Sequence, residues 1–182
     1  MSETILRYKG VIEGFYGPMW SHEERLHLIR HLQGWNMNIY IYSPRNDPYH
    51  RMRWEVPYPP DEMGKFVELA EECRKHRVEF SYAISPGSNF NFNDIKCQKL
   101  LLRKLQPFIK MGSRFFPIFY DDVSDVIDFD SMAGERLAER QGIIINTLVQ
   151  VIMKRCKEAR FLFCPTQYMT CLLYTSPSPR DS

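Results

Sequence analysis

The sequence predicts an α/β fold in which short apolar strands alternate with helices. Five strand-like runs and four helical runs follow one another along the 182 residues. The pattern repeats roughly every 35–45 residues, as expected for parallel strands joined by helical crossovers. Polar segments that contain Gly or Pro follow the strands, where parallel sheets place their ligand sites.

In the first half of the chain, amphipathic runs predict helices between the apolar strands. Ser21 and Glu24 have the spacing of a capping box and mark the start of the first helix. Leu26, Ile29 and Leu32 share one face of that helix. The predicted elements are a strand within 8–17, a helix over 21–35, a strand within 37–47 and a helix over 61–77.

The second half continues the alternation. Pro107 lies inside the third predicted helix, where proline can kink or break the backbone. The predicted elements are a strand within 78–87, a helix over 95–112, a strand within 113–122, a long helix over about 131–159 and a strand within 159–168.

Two architectures fit this order: an open, doubly wound sheet and a (β/α)8 barrel. Neither GxGxxG nor a P-loop follows the first strand, which weighs against a nucleotide-binding sheet. A barrel needs roughly 250 residues. A barrel interpretation therefore gives this chain about the first five β/α units of an incomplete (β/α)8 TIM barrel.

Composition excludes several classes of partner. The net charge of +2 gives no electrostatic reason to expect nucleic acid or an anionic membrane. The start of the chain has no apolar signal core, and no run reaches the roughly 20 apolar residues of a membrane span. The 5 cysteines are scattered without zinc spacing. We expect a cytoplasmic protein with no metal, no cofactor and no membrane association, and its oligomeric state stays open.

Asp121 and Asp122 are the strongest candidates for catalysis. They directly follow "FFPIFY", a strand that should be buried on both faces. Repulsion and partial burial are expected to push the pKa values of the two carboxyls apart, so that one acid and one carboxylate coexist near neutral pH. Glycoside hydrolysis uses such a pair. The alternative is an ordinary solvated acidic loop.

Two other loops carry groups suited to a sugar. "EGFYGPMW" follows the first strand and combines glycines with aromatic rings, although a turn with core aromatics is equally compatible. "SPRNDPYH" follows the second strand and offers Arg45, Asn46 and Asp47 as hydrogen-bonding groups.

Several motifs occur together, in order and at suitable spacing: "GVIEGFYGPMWS", "NIYIYSPRNDPYHR", "YAISPG", "FYDDV" and "FCPTQY". Together they resemble glycoside hydrolase family 84 over roughly residues 8–170. The resemblance implies a TIM barrel and a retaining β-N-acetylglucosaminidase that removes O-linked GlcNAc from Ser and Thr of proteins. In this mechanism the sugar's own acetamide oxygen is the nucleophile and forms an oxazoline.

The resemblance also implies residue roles. Asp121 matches the carboxylate that orients and polarises the acetamide, and Asp122 matches the general acid/base. Gly14 matches a position whose backbone carbonyl meets a sugar hydroxyl, and Tyr168 a tyrosine that positions the acetamide. Arg45 stands where the family usually has lysine, which leaves its sugar contact open. The implied partner is an N-acetylglucosaminylated protein or glycan, and the alternative function is a catalytically dead carbohydrate-binding domain.

The end of the chain has an expected origin of its own. Residues 171–181 match the translation of a transposon-end adapter used in preparing sequencing libraries. The alternative is a disordered Ser/Pro-rich linker. We expect residues 1–170 to be the N-terminal part of the catalytic barrel, inactive on its own, and residues 171–182 to be adapter read-through.

Overall fold

Strands and helices alternate along the part of the chain that the computed structural model describes. This part is residues 6–86, 90–92, 94–121 and 131–166, with backbone only at 95 and 131–136. The predicted order is confirmed, but each strand is only four or five residues long. The elements are β1 Gly10–Glu13, α1 His22–Leu32, β2 Ile39–Tyr42, α2 Pro60–Lys75, β3 Glu79–Tyr82, α3 Ile95–Lys110, β4 Phe115–Phe119, α4 Ser131–Arg155 and β5 Arg160–Cys164.

All strand pairs are parallel. The order β1-β2-β3 forms one sheet and β4-β5 a second. A parallel bridge between Ile84 and Ile118 connects them, because the Ile84 amide donates to the Pro117 carbonyl and the Phe119 amide donates to the Ile84 carbonyl, both at 2.7 Å. Among the described residues the strands do not close into a barrel.

Local sequence signals explain where the helices begin. Ser21 Oγ accepts from the Glu24 amide at 3.2 Å, and Glu24 Oε2 accepts from the Ser21 amide at 2.6 Å, so the predicted capping box is present. Asp94 caps α3 by accepting from the Lys96 amide. Pro107 does not end α3, which continues to Lys110.

The sheet packs on both of its faces. One face meets the helices in a large cluster that contains Leu26, Ile29 and Leu32, the predicted stripe of α1. The other face carries a smaller cluster of Ile39, Ile41, Ala83, Phe115 and Phe119. None of the helices in the described ranges has the length and hydrophobicity of a membrane span.

A buried ion pair joins α1 to β1. Glu13 is fully buried, and Arg25 donates to its two carboxylate oxygens at 2.9 and 2.7 Å. The Tyr40 hydroxyl donates to the same carboxylate. This pair is not predictable from the sequence, because nothing local marks Glu13 as facing a helix.

Candidate active site

Polar groups from four different loops meet at the carboxyl ends of the strands. Gly14 follows β1, Arg45 follows β2, Ser85 follows β3 and Asp121 follows β4. Parallel strands bring these ends to one edge of the sheet.

Arg45 lies at the centre of this group. Its Nε donates to the Gly14 carbonyl at 3.2 Å, its Nη1 to Ser85 Oγ at 3.4 Å and its Nη2 to Asp121 Oδ2 at 2.7 Å. The Arg45–Asp121 ion pair is mostly buried, with side-chain exposures of 11% and 18%. One planar guanidinium thus ties together the loops after three strands.

The two oxygens of Asp121 have different surroundings. Oδ2 is held by Arg45, whereas Oδ1 is buried and has no hydrogen-bond partner among the described residues. Buried polar atoms are nearly always paired, and each exception requires an explanation. Asp121 Oδ1 is therefore an acceptor that is open to a ligand N–H or O–H group.

A second arginine supports the first. Arg51 Nη1 donates to Ser85 Oγ at 2.5 Å and to the Ser85 carbonyl at 3.3 Å. Ser85 is 2% exposed, so its hydroxyl is a fixed link between Arg51 and Arg45. The chain of contacts Arg51–Ser85–Arg45–Asp121 holds the carboxylate of Asp121 in one orientation.

The loop after β1 forms an aromatic rim. The guanidinium carbon of Arg45 lies 5.8 Å from the ring centroid of Tyr16, and Tyr16 is 72% exposed. Asn46 Nδ2 donates to the Gly17 carbonyl at 2.5 Å and fixes this loop against the one after β2. Exposed aromatic rings beside hydrogen-bonding groups suit the apolar face of a sugar.

Comparison with known proteins identifies the family to which the chain belongs. The sequence profile of the NAGidase family, described as beta-N-acetylglucosaminidase, matches residues 9–176. The chain belongs to the beta-N-acetylglucosaminidase family. The predicted resemblance to glycoside hydrolase family 84 is confirmed.

Named relatives of this family are glycoside hydrolases. Protein O-GlcNAcase of Rattus norvegicus is 37% identical over 170 residues, which cover 93% of this chain and 18% of the rat protein. Protein O-GlcNAcase of Mus musculus is 36% identical, with the same coverage of 93% and 18%. The chain therefore spans less than a fifth of the length of these curated relatives.

Solved structures of the family share the fold. A mutant of the O-GlcNAc hydrolase of Thermobaculum terrenum matches with a TM-score of 0.81 at 36% identity, covering 89% of this chain and 35% of that one. The structure of CpGH84B matches with a TM-score of 0.79 at 32% identity, covering 91% and 28%.

The residues predicted from the family resemblance are placed only in part. Gly14, Arg45 and Asp121 are brought together, whereas Asp122 and Tyr168 lie outside the described residues. The Gly14 carbonyl accepts from Arg45, and its second lone pair can accept from one further donor. Ser85, which contacts Arg45 and Arg51, was not predicted as a site residue, although its Ser-Pro sequence repeats the one that precedes Arg45.

Asp47 is not a sugar-binding group, contrary to our expectation. It is 4% exposed, and its Oδ2 accepts from the hydroxyls of Tyr42 at 2.7 Å and Tyr58 at 2.6 Å. Its Oδ1 accepts from the amides of Tyr49 and His50. The carboxylate is fully engaged in folding the loop after β2 into the core.

His50 completes this buried loop. Its Nε2 lies 3.1 Å from the Ala83 carbonyl, which ties the loop to the end of β3. Burial lowers the pKa of His50 to about 3, against an opposing effect of the Asp47 charge. The imidazole is therefore neutral at physiological pH, and its Nε2 carries the proton donated to Ala83.

Proposed function

We propose that the protein to which this chain contributes is a retaining β-N-acetylglucosaminidase that removes O-linked GlcNAc from Ser and Thr of proteins. The observation that carries the proposal is Asp121 Oδ1, a buried acceptor without a partner among the described residues. The acetamide N–H of N-acetylglucosamine is a donor suited to this position. The family relationship supplies the reaction class.

Asp121 acts on the nucleophile of the reaction. When its Oδ1 accepts the acetamide N–H, electron density shifts toward the acetamide oxygen, which attacks the anomeric carbon as the glycosidic bond breaks. The product of this step is a protonated oxazoline bound at the site, whose N–H remains hydrogen-bonded to Asp121 Oδ1. Arg45 keeps the opposite oxygen, Oδ2, occupied, so the carboxylate presents one defined oxygen to the sugar.

Asp122 acts as the general acid and then as the general base. Its carboxyl proton passes to the glycosidic oxygen as that bond breaks, and its carboxylate then takes a proton from the water that opens the oxazoline. Two displacements at the anomeric carbon give net retention. Adjacent aspartates suit this division, because one serves the acetamide and the other the glycosidic oxygen.

The other groups in the proposed site hold the sugar. Gly14 and Arg45 face the hydroxyls, the Tyr16 rim faces the ring, and Tyr168 positions the acetamide. We also propose that the parallel sheet continues into the eight-stranded barrel typical of the family, and that the enzyme acts in the cytoplasm.

Leaving-group chemistry tests the two aspartates separately in the complete gene product. The substrates are aryl N-acetyl-β-glucosaminides whose phenols differ in acidity. Asp122→Asn should lower kcat by about 10²–10⁴ for basic leaving groups and much less for nitrophenol, which departs without a proton. Asp121→Asn should lower kcat similarly for every leaving group. Asp61→Asn, on the exposed start of α2, is the matched control and should retain wild-type activity.

The contrary outcomes are distinct. Wild-type kcat in Asp122→Asn on basic leaving groups would remove its assignment as acid. A wild-type protein that binds N-acetylglucosamine but hydrolyses none of these substrates would be a carbohydrate-binding domain. Hydrolysis of the corresponding β-glucosides, which lack the acetamide, would exclude substrate assistance.

A further inference from the structure

A cavity lies at the opposite end of the strands from the candidate active site. Its volume is about 620 Å³. Most of its lining residues precede the strands or begin them, including Asn38 before β2 and Val78 before β3, and Ala70 and Arg74 belong to α2. Five arginines line it: Arg7, Arg74, Arg77, Arg114 and Arg160.

Positive charge in this cavity exceeds negative charge. Glu79 is the one acidic residue among those that line it. Glu158 pairs with Arg114, but their side chains are 61% and 66% exposed, so this pair is weak and can yield to a ligand. Within the described ranges, no salt bridge engages Arg74 or Arg77.

Ser113 provides an independent observation. It is 5% exposed and lines the cavity, and its Oγ has no hydrogen-bond partner among the described residues. Buried hydroxyls are normally paired. Beside these guanidiniums, the Ser113 hydroxyl can donate to a ligand that accepts hydrogen bonds.

Contacts between distant parts of the chain fix the cavity. The ring of Tyr8 packs on Phe115 with centroids 4.8 Å apart, and Arg160 Nη1 donates to the Tyr8 hydroxyl. Tyr8 precedes β1 and Arg160 begins β5, so the outermost described strands are joined at this end. The position of Arg160 is therefore held by tertiary structure.

We infer that this cavity binds a small phosphate-bearing anion with more than one charged group. Guanidiniums match phosphoryl oxygens with paired N–H donors, and they hold such oxygens more firmly than ammonium groups do. Arg74, Arg77 and Arg114 donate to the phosphoryl oxygens, and the Ser113 hydroxyl adds a fourth donor. A volume of about 620 Å³ accommodates a diphosphate group with a substituent.

Calorimetric titration of the complete gene product with inorganic pyrophosphate tests this site. We expect saturable binding that weakens about tenfold for each guanidinium lost in an Arg74→Gln/Arg77→Gln variant. Ser113→Ala should weaken binding with no loss of thermal stability. Arg103→Gln, which removes an arginine of α3 outside this cavity, is the control for loss of positive charge elsewhere and should bind as the wild type does.

Other titrants define the ligand. ADP that binds more tightly than pyrophosphate would place a nucleoside in the cavity, and equal affinities would assign recognition to the diphosphate alone. Citrate that binds as tightly as pyrophosphate would overturn the preference for phosphate. The inference fails if wild-type protein shows no saturable binding, or if the double variant and Arg103→Gln bind equally. Hydrolase activity should be unchanged in all these variants, so this result stands apart from the proposed function.

Discussion

Arg45 shows at the level of one residue why arginine and lysine are not equivalent here. Its three nitrogens reach Gly14, Ser85 and Asp121, which belong to the loops after three different strands. An ammonium group is a compact point charge and cannot hold these three directions in one plane. Arg45 therefore orients Asp121 through fixed directions that a lysine of the same charge would not supply.

Arg45→Lys separates charge from geometry. We expect the variant to keep the attraction to Asp121 and to lose the simultaneous contacts to Gly14 and Ser85. With the orientation of Asp121 less defined, kcat for N-acetylglucosaminides should fall by about tenfold to a hundredfold, which corresponds to the loss of one or two hydrogen bonds to a charged group. Steady-state kinetics on the complete gene product measure this.

Arg53→Lys is the matched control for that substitution, because the Arg53 guanidinium lies 4.6 Å from the ring centroid of Tyr49 instead of in the site. It should leave kcat unchanged. Equal kcat for Arg45→Lys and the wild type would show that the planar guanidinium of Arg45 has no role in orienting Asp121.

The elements themselves were largely predictable because their signals are local. Ser21 and Glu24 mark the start of α1 through contacts three residues apart, and the order of strands follows from hydrophobic runs. The role of Asp47 was not predictable. Its partners Tyr42 and Tyr58 lie on either side of a long loop, and only the folded loop shows that the carboxylate points into the core. Pro107 was compatible with a break, but α3 continues past it.

The Glu13–Arg25 pair fixes α1 on β1, and breaking it tests how much this contact contributes. Arg25→Met leaves the fully buried Glu13 without its cation, which should lower the free energy of unfolding by about 3–5 kcal/mol. The double variant Glu13→Leu/Arg25→Met removes both charges and should recover much of that loss. Urea unfolding of the complete gene product measures both. A double variant as unstable as Arg25→Met would contradict a penalty that arises from the unpaired charge.

His50 makes the loop after β2 sensitive to acid. The pKa of His50 is about 3 in the folded protein, because burial disfavours the cation, and about 6.5 when unfolded. Between these values the unfolded state binds more protons, so the free energy of unfolding falls as pH drops from about 6.5 toward 3. His50→Gln should reduce this pH dependence, because the Gln side chain does not titrate. Its amide can still donate to the Ala83 carbonyl, so the fold should be kept.

Urea unfolding at pH 7.5 and pH 5 measures the difference. The wild type should lose more stability between the two pH values than His50→Gln does. His27→Gln, an exposed histidine of α1, should behave as the wild type. Equal pH dependence in His50→Gln and the wild type would show that the buried imidazole is not the group responsible.

At the scale of the whole molecule, the described sheet has two open edges. β1 pairs only with β2, and β5 only with β4. Apolar side chains on these edges are accessible: Ile12 is 48% exposed, and Leu162 and Phe163 are each 39% exposed. Unpaired apolar edge strands are templates for association with other chains.

The origin of residues 171–181 stays a prediction. The match to the family profile ends at residue 176, inside this stretch. Resequencing the source gene without transposon-based library preparation should give a different sequence after Thr170. Recovery of the same residues would contradict adapter read-through.

The open edges predict how the 182-residue polypeptide behaves when it is expressed by itself. We expect it to self-associate and to bind a hydrophobic dye, because the edges at β1 and β5 and their exposed apolar side chains remain accessible. Light scattering after size-exclusion chromatography measures the association. Charges at both edges, in an Ile12→Lys/Leu162→Lys variant, should reduce it, whereas Val67→Lys on the exposed face of α2 should not. A monodisperse wild-type monomer with a cooperative thermal transition would contradict the prediction and show that five short strands suffice for a stable fold.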